Sequence, residues 1–363
     1  MSDIQPALGR WFRAQPALGD ACRITGVATP KTGFSADTML VSLADCATGT
    51  NGVRELVVRI ERPGRNTFLG ASIGRQAKFM ARLNRSGIKV PAILGWEEDV
   101  ALIGASFLVM DRVDAVSLPM HPSYYETGFL YELEEAQRHA TWVDALGTIA
   151  SINLLDWRDG CDFLIDPQYG PAGLGNYLGW IKAWRDEACD HKPNPIIDRA
   201  IEHLERNRPA DGSIELLWGD SNPGNFMFAR DGSVAAALDF EAAAIGPAEI
   251  DLSWWWFVGD MLAGGRPLPP GMPDRSEQIA IYEKALGRSV ANLDYFAILA
   301  GVRMSLVMAQ TIRNLIADDI LPPTNQGALA NPAIALLAGM IDMPVPTDMS
   351  EYMAMVMAMN QRG

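Results

Sequence analysis

Residues 215–256 read ELLWGDSNPGNFMFARDGSVAAALDFEAAAIGPAEIDLSWWW. Ile214 to Leu217 is a short apolar run of the kind that forms a buried strand, and it stops at Trp218-Gly219-Asp220. The polar loop Ser221-Asn222-Pro223-Gly224 follows, with Pro and Gly to set a turn. Two further apolar runs, Phe226 to Phe228 and Val234 to Leu238, flank Arg230-Asp231-Gly232, and Asp-Gly between apolar runs is a hairpin signal. A hairpin centred between Asp231 and Gly232 sets Asn225 opposite Leu238, beside Asp239. Asp220 then sits where a strand leaves for a loop, and Asn225 and Asp239 face each other across the open end of the hairpin.

Three converging oxygen-bearing side chains suit phosphoryl transfer. That chemistry uses hard oxygen ligands for magnesium and one carboxylate to orient the attacking hydroxyl and take its proton. Asp220 and Asn225 are spaced like the Asp and Asn of a kinase catalytic loop, and Asp239 opens Asp-Phe-Glu where a protein kinase carries Asp-Phe-Gly. Any one of these residues would fit an ordinary Asn/Asp/Gly-rich hairpin; the ordered set does not. Trp-Gly-Asp, Gly-Asn, Leu-Asp-Phe-Glu, Gly-Pro and Asp-Leu in this order resemble the aminoglycoside phosphotransferase-like family of small-molecule phosphotransferases. The resemblance is nearest the branch related to the kinase domain of acyl-CoA dehydrogenase fusions. It implies a protein-kinase-like bilobal α+β fold, with a small antiparallel-sheet lobe over residues 1–111 and a mainly helical lobe over 112–363 holding the catalytic hairpin. It also implies ATP and Mg2+ as cofactors, Asp220 as the base, and Asn225 and Asp239 as the metal ligands. Asp251, after Gly246-Pro247, is implied to brace the backbone of the catalytic loop.

Earlier in the chain, Arg23 to Val27 and Thr38 to Leu43 are strand-like runs bracketing Thr32-Gly33-Phe34-Ser35-Ala36-Asp37, and Glu55 to Ile60 supplies a third. Strand, small-residue turn, strand, turn and a strand bearing a cation make a nucleotide-covering layout. Small residues let backbone N–H groups approach phosphates, and the cation holds the α- and β-phosphates. Gly33, Phe34, Ser35 and Arg59 are the corresponding candidates. Arg59 stands where many kinases have lysine, and it offers a planar fork rather than a point charge. Ser72 to Leu83 has helical spacing; its family counterpart presents a Glu to the strand cation, and here the nearest position is Gln76, which either hydrogen-bonds that cation or is solvated. Val90 to Trp96 and Ala105 to Met110 read as the strands closing this lobe. Phe107 to Val113 resembles the hinge segment, whose backbone at Met110 and Val113 would meet the adenine edge.

The 363 residues carry 30 Lys and Arg against 44 Asp and Glu, a net charge of −14. Nucleic acid and anionic membranes are poor partners for such a surface. Apolar content of 48% with 20% charged residues is that of a globular chain. Four cysteines without a Cys-x-x-Cys and four dispersed histidines suggest no zinc site. The start, MSDIQPALGRWF, lacks a basic segment followed by an apolar one, and no run of about 18 apolar residues occurs, so neither a signal peptide nor a membrane span is expected and the reducing cytoplasm is the default compartment.

Past Leu118 the periodicity becomes helical: Tyr131 to Asn153, Tyr177 to Glu187, Pro195 to Asn207, Asp251 to Leu262, Arg275 to Leu286 with Gly287 as a stop, and Ala291 to Ala317. Trp254 to Phe257 and the 17 methionines read as core filler. Glu241 either reaches the metal or sits in solvent at a turn. The expected activity is transfer of the ATP γ-phosphoryl group to a hydroxyl on a small molecule. Aminoglycosides, choline-like alcohols, sugars and hydroxyacyl compounds are the acceptor classes implied by the resemblance, and a catalytically inactive nucleotide-binding or scaffold protein of the same fold is the alternative.

Overall fold

The computed structural model describes residues 4–30, 36–120, 122–210 and 212–360. Gly33, Phe34 and Ser35 lie outside the described residues. The chain divides into two compact units, one of Met1–Asn66 with Gly70–Asp114 and one of Thr67–Leu69 with Ala115–Gly363.

The first unit contains α1 (Gln5–Arg13), β1 (Arg23–Ala28), β2 (Ala36–Ala44), β3 (Arg54–Glu61), α2 (Ile73–Arg85), β4 (Ile93–Glu97) and β5 (Phe107–Asp111). Its strands form one antiparallel sheet in the order β1-β2-β3-β5-β4. Alternation decides which residues enter the core, because successive side chains leave opposite faces of a strand. Met39, Val41 and Leu43 of β2, Leu56 and Val58 of β3, and Phe107 and Val109 of β5 pack with Leu8 and Phe12 of α1. Each side chain removed from water in this way contributes about 1.5–3 kcal/mol. Arg59 therefore leaves the other face, which it shares with Leu108 and Met110; in register it lies between Thr38 and Leu108. Ser72 caps α2 by accepting the Arg75 N–H at 3.2 Å. Cys22 and Cys46, distant in sequence, meet beside this core as a disulfide. This unit ends at Asp114, and past the end of β5 the Arg112 N–H donates to the Glu55 carbonyl at 3.0 Å.

The second unit is mainly helical. It contains β6 (Val116–Ser117), α3 (Phe129–Glu132), α4 (Glu135–Asn153), α5 (Leu174–Ala188), α6 (Pro195–Arg206), β7 (Glu215–Leu217), β8 (Phe226–Phe228), β9 (Val234–Ala237) and β10 (Ala244–Gly246). α7 (Glu249–Ala263), α8 (Arg275–Leu286), α9 (Leu293–Ala317), α10 (Pro332–Met340) and α11 (Ser350–Asn360) complete it. Residues 67–69 join this unit because Phe68 packs 5.1 Å from the Trp184 ring and the Trp180 indole donates to the Leu69 carbonyl at 2.9 Å. The helix expected over Tyr131 to Asn153 is interrupted at Leu133 and Glu134. Arg138, buried on α4, is the physical reason: its guanidinium donates to the carbonyls of Leu130, Tyr131 and Leu133, which an unbroken helix would turn toward its own N–H groups. α8 is capped by Asp274 and ends at Gly287, whose φ of +74° is the left-handed conformation of a helix stop.

Among the described residues one helix, α9, is long and apolar enough to cross a membrane by length and composition alone. Its most apolar window is 78% buried inside the protein, and it carries Arg303 at its centre, which is the pattern of a core helix.

Candidate active site

The site is built on two small antiparallel pairings of the second unit. β7 pairs with β10, Leu217 opposite Ala244, while β8 pairs with β9, Phe226 opposite Ala237, and β6 lies on the other side of β8. The Leu238 N–H donates to the Asn225 carbonyl at 2.8 Å, so the hairpin register sets Asn225 opposite Leu238 and next to Asp239. A bulge between Met227 and Phe228 absorbs one residue, and Gly232 turns the chain with φ +90°.

Asp220 leaves β7 through Gly219, whose φ is +83° and where a Cβ would sit 1.9 Å from the Ala242 carbonyl oxygen. Only glycine fits that approach. The Asp220 carboxylate is held by side chains from three directions. Asn225 Nδ2 donates to Oδ2 at 2.8 Å, Asn222 Nδ2 to Oδ1 at 2.9 Å, and the Trp254 indole Nε1 to Oδ1 at 2.7 Å. Burial pushes its pKa up and the nearby Asp239 charge pushes it further, while the Trp254 and Asn225 donors and the Arg303 charge pull it back. The outcome is a carboxyl above the ordinary aspartate range, in the direction that strengthens a base.

Asp239 follows β9 with φ +60°, a left-handed conformation that is uncommon for a residue with a side chain and marks a site where the surroundings dictate the backbone. Asn225 commits both amide protons to Asp220, to its backbone carbonyl at 3.0 Å and to Oδ2, which orients the amide oxygen as the group left to bind a ligand. One amide oxygen and one carboxylate are hard donors suited to magnesium, which takes few protein ligands and completes its shell with phosphates and water. Among the described residues no group of three or more His, Cys, Asp or Glu side chains could hold a metal, so this two-donor set is the candidate. Glu241 is half-buried.

Asp251 lies beneath the loop at the start of α7. Its Oδ2 accepts the Trp218 N–H at 2.9 Å and Asn153 Nδ2 at 2.8 Å, and its Oδ1 accepts the Gly219 N–H at 2.8 Å. Ser221 Oγ donates to the Asp251 carbonyl at 2.9 Å. Asn153 is itself fixed, donating to the Leu216 carbonyl at 2.8 Å and accepting from the Tyr282 hydroxyl at 2.5 Å. The bracing role expected of Asp251 is thus a network spanning α4, β7, α7 and α8.

Of the sequence candidates, Asp220, Asn225 and Asp239 come together here. Arg59, Met110 and Val113 belong to the first unit, Met110 buried on β5 between Val57 and Ile93 and Val113 half-buried after it. Gln76 is buried, so the solvated alternative for it does not hold. Sequence reasoning missed Asn222, Asn153, Tyr282 and Arg303, and read Trp254 only as packing. Trp254 is buried, yet its indole N–H is also a partner of Asp220.

This arrangement is one of a known class: the chain belongs to the phosphotransferase enzyme family, whose model matches residues 29–284. In sequence it is 26% identical over 268 residues to mouse acyl-CoA dehydrogenase family member 11, covering 70% of this chain and 33% of that one, and its human counterpart is 26% identical over 267 residues with the same coverage. The chain thus spans about a third of the length of these curated relatives. In structure it resembles a Ralstonia eutropha JMP134 protein assigned as an aminoglycoside phosphotransferase, with a TM-score of 0.65 at 20% identity over 97% of this chain and 98% of that one. It also resembles a choline kinase from Cryptosporidium parvum, with a TM-score of 0.56 at 12% identity over 89% and 98%. At these identities the likeness establishes the kinase-like α+β fold.

Proposed function

We propose that the protein transfers the γ-phosphoryl group of ATP to a hydroxyl group of a small molecule. The observation that carries this reading is the Asp220–Asn225 pair: a half-buried carboxylate, raised in pKa, hydrogen-bonded to the amide of a residue that lies opposite Leu238 and next to Asp239. The acceptor oxygen attacks the γ-phosphorus, the bond from that phosphorus to the β,γ-bridging oxygen breaks, ADP departs, and the hydroxyl proton passes to an Asp220 carboxylate oxygen. Mg2+, when bound, neutralises charge on the phosphate oxygens. Asn225 and Asp239 hold that ion. Asn222 and Trp254 keep the Asp220 carboxylate pointed. In the first unit Arg59 is the candidate for the ATP phosphates and the backbone of Met110 and Val113 for the adenine, while Gly33, Phe34 and Ser35, expected from the sequence at the phosphates, lie outside the described residues.

The acceptor class stays at the level of a small alcohol. The structural neighbours include a protein assigned to the aminoglycoside phosphotransferases and a choline kinase, and the sequence relatives are acyl-CoA dehydrogenase family members. Sugars, aminoglycosides, choline-like alcohols and hydroxyacyl compounds therefore make up the first screen, read as acceptor-dependent ADP release. With the acceptor in hand, Asp220→Asn keeps volume and most hydrogen bonds but removes the base. Turnover should fall about 10²-fold or more while nucleotide affinity holds. Parental turnover by that variant would exclude Asp220 as the base, and MgATP binding without turnover on any acceptor would favour the scaffold reading.

A further inference from the structure

Arg303, at the centre of α9, is completely buried. Its Nη2 donates to the carbonyl of Gly219, the residue immediately before Asp220. Its guanidinium lies over Trp254, with the central carbon 4.2 Å from the ring centroid, and the Tyr177 ring centroid is 5.9 Å away. Nε and Nη1 have no hydrogen-bond partner among the described residues. Among the described residues no carboxylate is paired directly with it, although its charge acts favourably on both Asp220 and Asp251.

A charge in such a place is a poor stabiliser. Apolar side chains of similar volume fill a buried ionic position as well or better, so packing alone does not account for a guanidinium here. What Arg303 does have is two separate holds on Asp220. One is through the backbone, at the Gly219 carbonyl. The other is through Trp254, whose opposite function is to donate its indole N–H to Asp220 Oδ1 at 2.7 Å. An indole can rotate about its side-chain torsions; a guanidinium stacked on its face by cation–π attraction fixes the plane, and hence the direction of the N–H. The planar fork of arginine suits both tasks at once, which an ammonium group does not.

We propose that Arg303 is a positioning residue for Asp220, acting through the stacked Trp254 indole and the Gly219 carbonyl to hold the carboxylate in its reactive orientation. The proposal rests on the reading of Asp220 as the base, but the positioning itself has an observable that needs no catalysis: the Trp254 indole N–H resonance in protein labelled with 15N-tryptophan, assigned by its loss in Trp254→Phe.

The experiment compares Arg303→Met, Arg303→Lys, Trp254→Phe and the Arg303→Met/Trp254→Phe double variant. MgADP titration reads nucleotide binding, and release of ADP from MgATP with water as the acceptor reads turnover. In Arg303→Met the Trp254 resonance should move toward that of an indole without a hydrogen-bond partner, and turnover should fall about tenfold to a hundredfold, the scale of loss from a misplaced reacting group, with MgADP affinity unchanged. Arg303→Lys should restore neither the resonance nor the rate, because it keeps the charge and loses the stack. Trp254→Phe keeps the aromatic face and removes the donor, so Arg303→Met should cost much less in that background than in the parent. An unmoved Trp254 resonance in Arg303→Met and Arg303→Lys, or full additivity in the double variant, overturns the proposal. If Arg303→Met does not fold, Arg303→Lys and Trp254→Phe carry the same comparison. If the parent releases no ADP with water as the acceptor, the phosphotransfer reading is left to the acceptor screen, and the resonance still decides the positioning.

Discussion

Asp251 accepts the backbone N–H of Gly219 at 2.8 Å, and through this contact α7 holds the loop that presents Asp220. Asp251→Ala would leave the Trp218 and Gly219 N–H groups and the Asn153 amide without their acceptor, all of them buried. An orphaned buried donor costs about 1–3 kcal/mol, so a loss of about 3 kcal/mol or more is expected in denaturant titrations. A loss below about 1 kcal/mol would mean that the loop is held by something else.

Asp239→Ala should abolish the magnesium-dependent part of the thermal stabilisation given by ATP, leaving the metal-independent part. The expectation follows from its place beside Asn225 at the open end of the hairpin. Equal magnesium-dependent shifts in variant and parent would remove Asp239 from the metal site.

Arg59→Ala should weaken ATP and ADP but spare adenosine, since only the nucleotides offer phosphate charge. A charge-assisted hydrogen bond contributes about 1.5–3 kcal/mol, or roughly a tenfold to hundredfold change in affinity. Calorimetric titrations showing the same loss for adenosine would make Arg59 a residue of the sheet rather than of the ligand.

Cys189 ends α5 and is half-buried; burial pushes its thiol up to about 11, with the Arg185 charge opposing. A raised value means less thiolate at every pH below it, and the thiolate is the nucleophile. Iodoacetamide at pH 8 should therefore label Cys189 about a hundredfold more slowly than an unshifted thiol, with the rate climbing as pH rises toward 11. Labelling at the rate of free cysteine would place the thiol in solvent.

What the residues determine without further help is local and periodic. Asp231-Gly232 between two apolar runs settles a hairpin, the hairpin register sets Asn225 opposite Leu238, and the five-residue step from Asp220 to Asn225 closes a loop short enough to bring both side chains together. The alternation of β2, β3 and β5 likewise decides that Val58 enters the core and Arg59 does not. Contacts between distant elements have no such signature. Arg303 reaches Gly219 from a helix that reads as apolar core, Tyr282 reaches Asn153 from α8, and Arg138 breaks a helix by capturing carbonyls that its periodicity would have kept. Trp254 is apolar by spacing and a hydrogen-bond donor by position. A pattern of 2 or 3.6 residues reports which face of an element is buried, whereas the partner of a buried polar atom is set by which helix packs over it, and that is decided only when the chain is folded.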